Sequence, residues 1–273
     1  MSLHDDYARR APIEIAFPER TVLGELSAEV AKEAARRGVD DTSPDAFMTL
    51  VSVGEIVRSM RGHDAPPESA YPLAALLFHA VHFMRAGSPL YLIDTSATRG
   101  LVSAAAGRAV PSPPSTAGYL QLPQHLVWTQ AARSGPGVAG GVPESLDGIH
   151  WTLSASGMIH VLPISGLLPD RPGFGALPLP PAPIADAHAW LDAEIRASGD
   201  DFASTLPGSE LDELYSVETA GEVLKLLARF FALAEGGGAR FDAHPGDSAL
   251  DAGRPAGDPR PSAFAYTRIS LAD

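Results

Sequence analysis

Residues 148–165 read "GIHWTLSASGMIHVLPIS": two runs rich in β-branched and aromatic residues, separated by a small-residue turn "ASG". Alternation on both sides of a glycine-containing turn is the pattern of a β-hairpin. With a two-residue loop, Ile149, Trp151 and Leu153 share a face with Met158, His160, Leu162 and Ile164. His150, Thr152 and Ser154 then lie on the other face, opposite Ile159 and Val161. Each face is partly apolar, so each needs a cover, and Trp151 falls at the centre of one packed face with His160 stacked near it.

Outward from the hairpin, "GYLQLPQHLVWTQ" (118–130) reads as a strand edged at Pro123, and "PLYLIDTSATRGLVSAAAG" (89–107) as a short strand, Tyr91 to Ile93, turning into a helix. The preceding sequence is helical. "TVLGELSAEVAKEAARRG" (21–38) places Leu23, Leu26, Val30 and Ala34 on one stripe and Gly38 at a left-handed cap, while "SPDAFMTLVSVGEIVRSMRG" (43–62) starts with Ser43 as cap and Pro44. A third helix begins near Ser69, carries "LLFHAVHFMRAG" (76–87) and closes at Gly87. Beyond the hairpin, "GLLPDRPGFGALPLPPAP" (166–183) is an ordered loop, 184–199 and 216–236 are helices, 245–262 is a mobile segment, and "AFAYTRIS" (263–270) supplies a terminal strand.

The fold class expected is therefore α+β: N-terminal helices, a small antiparallel β-sheet in the middle, further helices packed on it and a C-terminal strand. The corresponding divisions are a helical part at 1–106, a proline-rich joint at 107–117, sheet and helices at 118–244, the mobile segment at 245–262 and the strand at 263–273. One continuous domain can also hold them all.

Composition limits function. In 273 residues, 45% are hydrophobic and 19% charged, which is that of a folded chain. The formal charge of −13, with no basic cluster larger than Arg9-Arg10 or Arg36-Arg37, argues against nucleic acid or an anionic membrane as partner. Cysteine is absent, which removes disulfides, thiolate metal sites and a cysteine nucleophile. No leader or membrane span is apparent, so the expected location is the cytoplasm. Asparagine is also missing and lysine is confined to Lys32 and Lys225, the codon bias of a GC-rich bacterial genome and no guide to function.

The residues with chemistry to offer each have a plainer role. His79 and His82 are three apart on a helix that is apolar nearly all round. Zinc would need a third ligand, so they read as buried histidines with hydrogen-bond partners, and no metal is expected. His160 and His188 fall on apolar stripes and read as packing. His150, flanked by Thr152 and Ser154, lies on a strand face able to line a pocket. Asp94 ends a strand, where α/β proteins bind ligands, but equally caps the next helix. "GPGVAGG" (135–141) matches a dinucleotide-binding pattern without the helix that should begin at it, Arg171 sits in a stiff proline-flanked loop, and no cofactor is expected.

These limits favour a non-catalytic cytoplasmic protein that binds another protein or assembles with itself. The alternative is a small-molecule binder or enzyme with a pocket between the hairpin and the third helix, using His79, His82, Asp94 and His150. Convergence of those four groups on one cavity is what separates the two.

Overall fold

The computed structural model describes residues 8–17, 19–51, 70–103, 112–124, 145–165, 175–176, 182–183, 217–236, 239–246 and 262–271. The expected helix at 184–199, nearly all of the expected mobile segment, the glycine-rich stretch 135–141, Arg171 and His188 lie outside them.

Six helices and eight strands are described: α1 (Pro12–Ala16), α2 (Arg20–Arg37), α3 (Pro44–Leu50), α4 (Ala70–Arg85), β1 (Leu90–Ile93), α5 (Thr95–Ser103), β2 (Ala117–Gln121), β3 (Leu146–Leu153), β4 (Met158–Ser165), β5 (Gly175–Ala176), β6 (Ala182–Pro183), α6 (Val217–Gly236), β7 (Ala239–His244) and β8 (Tyr266–Leu271). The fold is α+β. Its strands form one sheet in the order β5-β4-β3-β2-β1-β8-β7, with β6 paired beside β5 on β4. The sheet is mixed, where a small antiparallel one was expected: β2, β3 and β4 are antiparallel, but β1 runs parallel to both β2 and β8. A strand from the first hundred residues thus lies in the middle of the sheet.

Both faces are covered, as partly apolar faces require. On one, Leu23, Leu26 and Val30 of α2, Phe47 of α3 and Leu76, Leu77 and Phe83 of α4 pack against Leu92, Tyr119, Leu162 and Ile164. On the other, Ala97 and Leu101 of α5 and Val223, Leu227, Phe230 and Phe231 of α6 cover Leu120, Ile149, Trp151 and Val161. Helix α2 ends at Gly38 with φ of 65° and α4 is followed by Gly87 at 85°, both left-handed as their positions suggested. Ser43 precedes α3 without a side-chain capping bond.

The hairpin register differs from the expected one. Its loop is Ala155-Ser156-Gly157, closed by Ser154 N–H to Met158 O at 2.8 Å and by Gly157 N–H to Ser154 O at 3.0 Å, with Gly157 at φ of 79°. A three-residue loop ending in a left-handed glycine shifts the pairing by one residue relative to a two-residue loop, which moves every side chain of one strand to the other face. Trp151 accordingly pairs with Val161, Ile149 with Pro163 and Leu153 with Ile159. His160 pairs with Thr152 on the opposite face, away from Trp151.

Trp151 is fully buried. Its ring lies 5.9 Å from Tyr91, 5.8 Å from Phe230 and 5.4 Å from Phe231, and its indole N–H donates to Ser115 O at 3.1 Å. Opposite it on β2 stands Gly118, where a Cβ would lie 2.3 Å from the indole.

Two substitutions test this contact. Trp151→Ala should cost roughly 3–5 kcal/mol of stability, and Gly118→Ala, which forces a methyl into the indole, about 1–3 kcal/mol. Denaturant midpoints measure both, and a wild-type midpoint for Gly118→Ala would show that β2 and β3 are not held in this register.

Candidate functional site

The register places four histidines in one layer between α4 and the sheet. Helix α4 contributes His79 and His82, β3 contributes His150 and β4 contributes His160. Phe78 is the common neighbour, making edge contacts with His79 at 5.1 Å, His82 at 4.8 Å and His160 at 5.7 Å. His150 lies 6.0 Å from His79 and 4.3 Å from Tyr119, ring centre to ring centre.

Two of these rings are fixed by hydrogen bonds over long sequence separations. His79 Nδ1 and the Thr152 hydroxyl share one at 3.0 Å. His82 Nε2 lies 3.0 Å from Asp41 O and therefore carries the proton it donates. Arg85, one turn on, binds Ser27 O and the Asp41 carboxylate and ties α4 to the loop after α2. Both ring nitrogens of His150 are buried without a hydrogen bond of ordinary geometry. The Gly118 backbone is the polar group that most favours its charged form.

Burial dominates the electrostatics. It pushes His79 well below the usual imidazole range, with further depression from His150, His160 and His82. His82 falls to about 4 through burial and the Arg85 charge, against the pull of the Asp41 carbonyl. His150 falls to about 3 through burial, and burial also lowers His160. These imidazoles are neutral at pH 7. His79, His82 and His150 are moreover buried, whereas a general acid or base works best with a pKa near the working pH and within reach of substrate. Neutral imidazole is the metal-binding form, yet among the described residues no three possible ligands are gathered to hold an ion.

Asp94 is elsewhere. Its Oδ1 accepts the Ala97 N–H and the Ser96 hydroxyl, each at 2.7 Å, so it caps α5. It also stands at the lip of an open cleft of about 520 Å³ with Arg240, Asp242, His244, Arg268 and Ser270. The sequence reading missed this cleft because it missed β7. The alternation in "ARFDAH" is visible, but residues 239–244 were assigned no strand. A further buried polar group was equally silent: the Gln121 side-chain amide accepts the Arg9 backbone N–H at 2.7 Å and donates to the Arg9 carbonyl at 3.0 Å, Arg9 Nη2 donates to Leu122 O, and the N-terminal segment is thereby sewn to β2.

The structure therefore gathers His79, His82 and His150 with His160, and separates Asp94 from them. Compared with known proteins, the chain matches no family model, no curated protein and no solved structure.

The Thr152–His79 bond and the neutral imidazoles yield two tests. Thr152→Val strips His79 of its partner and should cost about 1–3 kcal/mol, the penalty of a buried unsatisfied group; the Thr152→Val/His79→Leu pair should recover much of it, as a double-mutant cycle on unfolding midpoints will read. In acid, the unfolded chain takes up protons on these histidines near pH 6.5 while the folded chain does not until about 4 for His82 and about 3 for His150. Stability is thus complete above about pH 6.5 and falls as the pH drops below it, by up to about tenfold in the folding constant per pH unit and histidine. His150→Phe should keep the pH 7 midpoint and make the acid slope shallower; an unchanged slope would show that His150 is not held neutral.

Proposed function

We propose that this is a non-catalytic cytoplasmic protein that works by pairing with another polypeptide, a further copy of itself included, along the outer edge of β7. The observation that carries this reading is that edge. Strand β7 ends the sheet order, bonded to β8 on one side and to no strand on the other among the described residues. Its Phe241 is 40% exposed, and Leu271, the diagonal neighbour on β8, is 39% exposed. An open edge offers unpaired N–H and C=O groups to an incoming strand, and alternate side chains add selectivity.

The acidic composition and lack of basic clusters agree with a protein partner. Among the described residues no helix is long and apolar enough to cross a membrane. The alternative, a ligand pocket between the hairpin and α4, is disfavoured because Phe78, Phe83, Tyr119 and the imidazoles themselves fill that layer.

Sedimentation velocity over a range of concentrations tests the reading. The purified chain should exceed the 28.5 kDa of a single copy, and Phe241→Lys should return it to that mass with the unfolding midpoint unchanged. A chain that stays at the monomer mass throughout, and whose copurifying proteins are all retained by Phe241→Lys, would refute it.

A further inference from the structure

We infer that the partner at the β7 edge is a second copy of the same strand, paired antiparallel about a two-fold axis through Phe241. This rests on the reading above and adds the occupant and its register. Charge decides it. Along β7, Arg240 and Asp242 project from one face and Ala239, Phe241 and Ala243 from the other. Antiparallel pairing centred on Phe241 sets Arg240 opposite Asp242 of the other copy, and Asp242 opposite its Arg240, while Phe241 meets Phe241 and Ala239 meets Ala243. Moving the centre one residue forward opposes Asp242 to Asp242; moving it one back opposes Arg240 to Arg240. Like charges directly opposite one another are destabilising, and opposite charges and aromatic pairs are favourable.

Within one chain Arg240 and Asp242 already bind each other at 3.0 Å, with side chains 73% and 40% exposed. In the pair they exchange partners across the axis. Exposed ion pairs add little affinity, so their contribution is the choice of register, while backbone hydrogen bonds and the Phe241 contact hold the strands. Charged residues on an edge usually repel incoming strands. Here the two signs differ, so they repel the two adjacent registers, in which Arg240 or Asp242 meets its own copy. The interface is isologous, closes on itself and does not propagate. A six-residue strand pair is small against the roughly 1,200–2,000 Å² of stable complexes, and the association is concentration-dependent.

Two experiments on the full chain decide it. Arg240→Asp carries acid at both positions and Asp242→Arg carries base at both. Each alone should lose the dimer, and their equimolar mixture should regain a heterodimer in sedimentation and native mass spectrometry, with unfolding midpoints unchanged. The chain has no cysteine, so introduced ones report the register. Directly opposed strand residues have Cα atoms about 4.5–5.5 Å apart, within disulfide reach. Phe241→Cys should give a covalent homodimer on mild oxidation, whereas Ala239→Cys and Ala243→Cys should cross-link only with each other. A dimer that survives both charge changes, or that cross-links Ala239→Cys to itself, overturns this register and leaves self-assembly standing. A wild-type chain that is monomeric at every concentration overturns the second copy as occupant, and only retention of every copurifying protein by Phe241→Lys then also removes the edge reading.

Discussion

The indole of Trp151 lies over the residue of β2 that has no side chain, and the rest of the molecule follows from that contact. Gly118 leaves room for the ring, Ser115 O satisfies its N–H, and Tyr91, Phe230 and Phe231 close around it. Because side chains alternate, seating Trp151 on this face commits His150 and Thr152 to the other. A slip of one residue would drive an imidazole into the aromatic cluster and the indole into the layer under α4. The cost of that exchange fixes the register of β3 on both neighbours, and hence which elements cover which face.

On the α4 side the same commitment creates a layer with more polar atoms than an apolar core usually tolerates. Imidazole suits it because its neutral form is within reach of pH 7 and needs few partners. His79 finds Thr152 and His82 finds a backbone carbonyl, both over long sequence separations. His150 finds none of ordinary geometry and is the ring most displaced toward the neutral form among those given a value. In this layer His79, His82 and His160 pack their rings on Phe78, and burial suppresses the charge of all four imidazoles. This is also why the histidines and Asp94, all candidates on sequence grounds, fall into two unrelated settings.

Helices α2 and α4 were legible because each has local punctuation: Gly38 and Gly87 adopt the left-handed turns their positions implied, and the stripe Leu23, Leu26, Val30 and Ala34 of α2 is buried as read. The short α1 was not read, and α3, expected over 43–62, ends at Leu50 with Val51 extended. Strands β1, β2, β3, β4 and β8 were legible from alternation. The hairpin register was not, since "SASG" permits a loop of two or three residues and only the φ of Gly157 and the Ser154–Met158 bonds choose between them. Parallel pairing of β1 with β2 and β8 is non-local and leaves no trace in a short window. Strand β7 escaped because both its faces are partly exposed, which weakens the apolar signal that alternation depends on. The cleft beside Asp94 went with it.

The charge of −13 bears on where two copies can approach. At physiological salt a charge is felt over roughly 8 Å, so repulsion between copies is a local matter, decided patch by patch. Around β7 the signs balance: Arg240 and Arg268 stand beside Asp242 and Asp94 on one face, and the other presents Phe241 and Leu271. Among the described residues, the edge of β7 is thus locally neutral and partly apolar in a chain that is acidic as a whole. In the self-pairing proposed above, the opposite signs of Arg240 and Asp242 are what would set the register in which the strands meet.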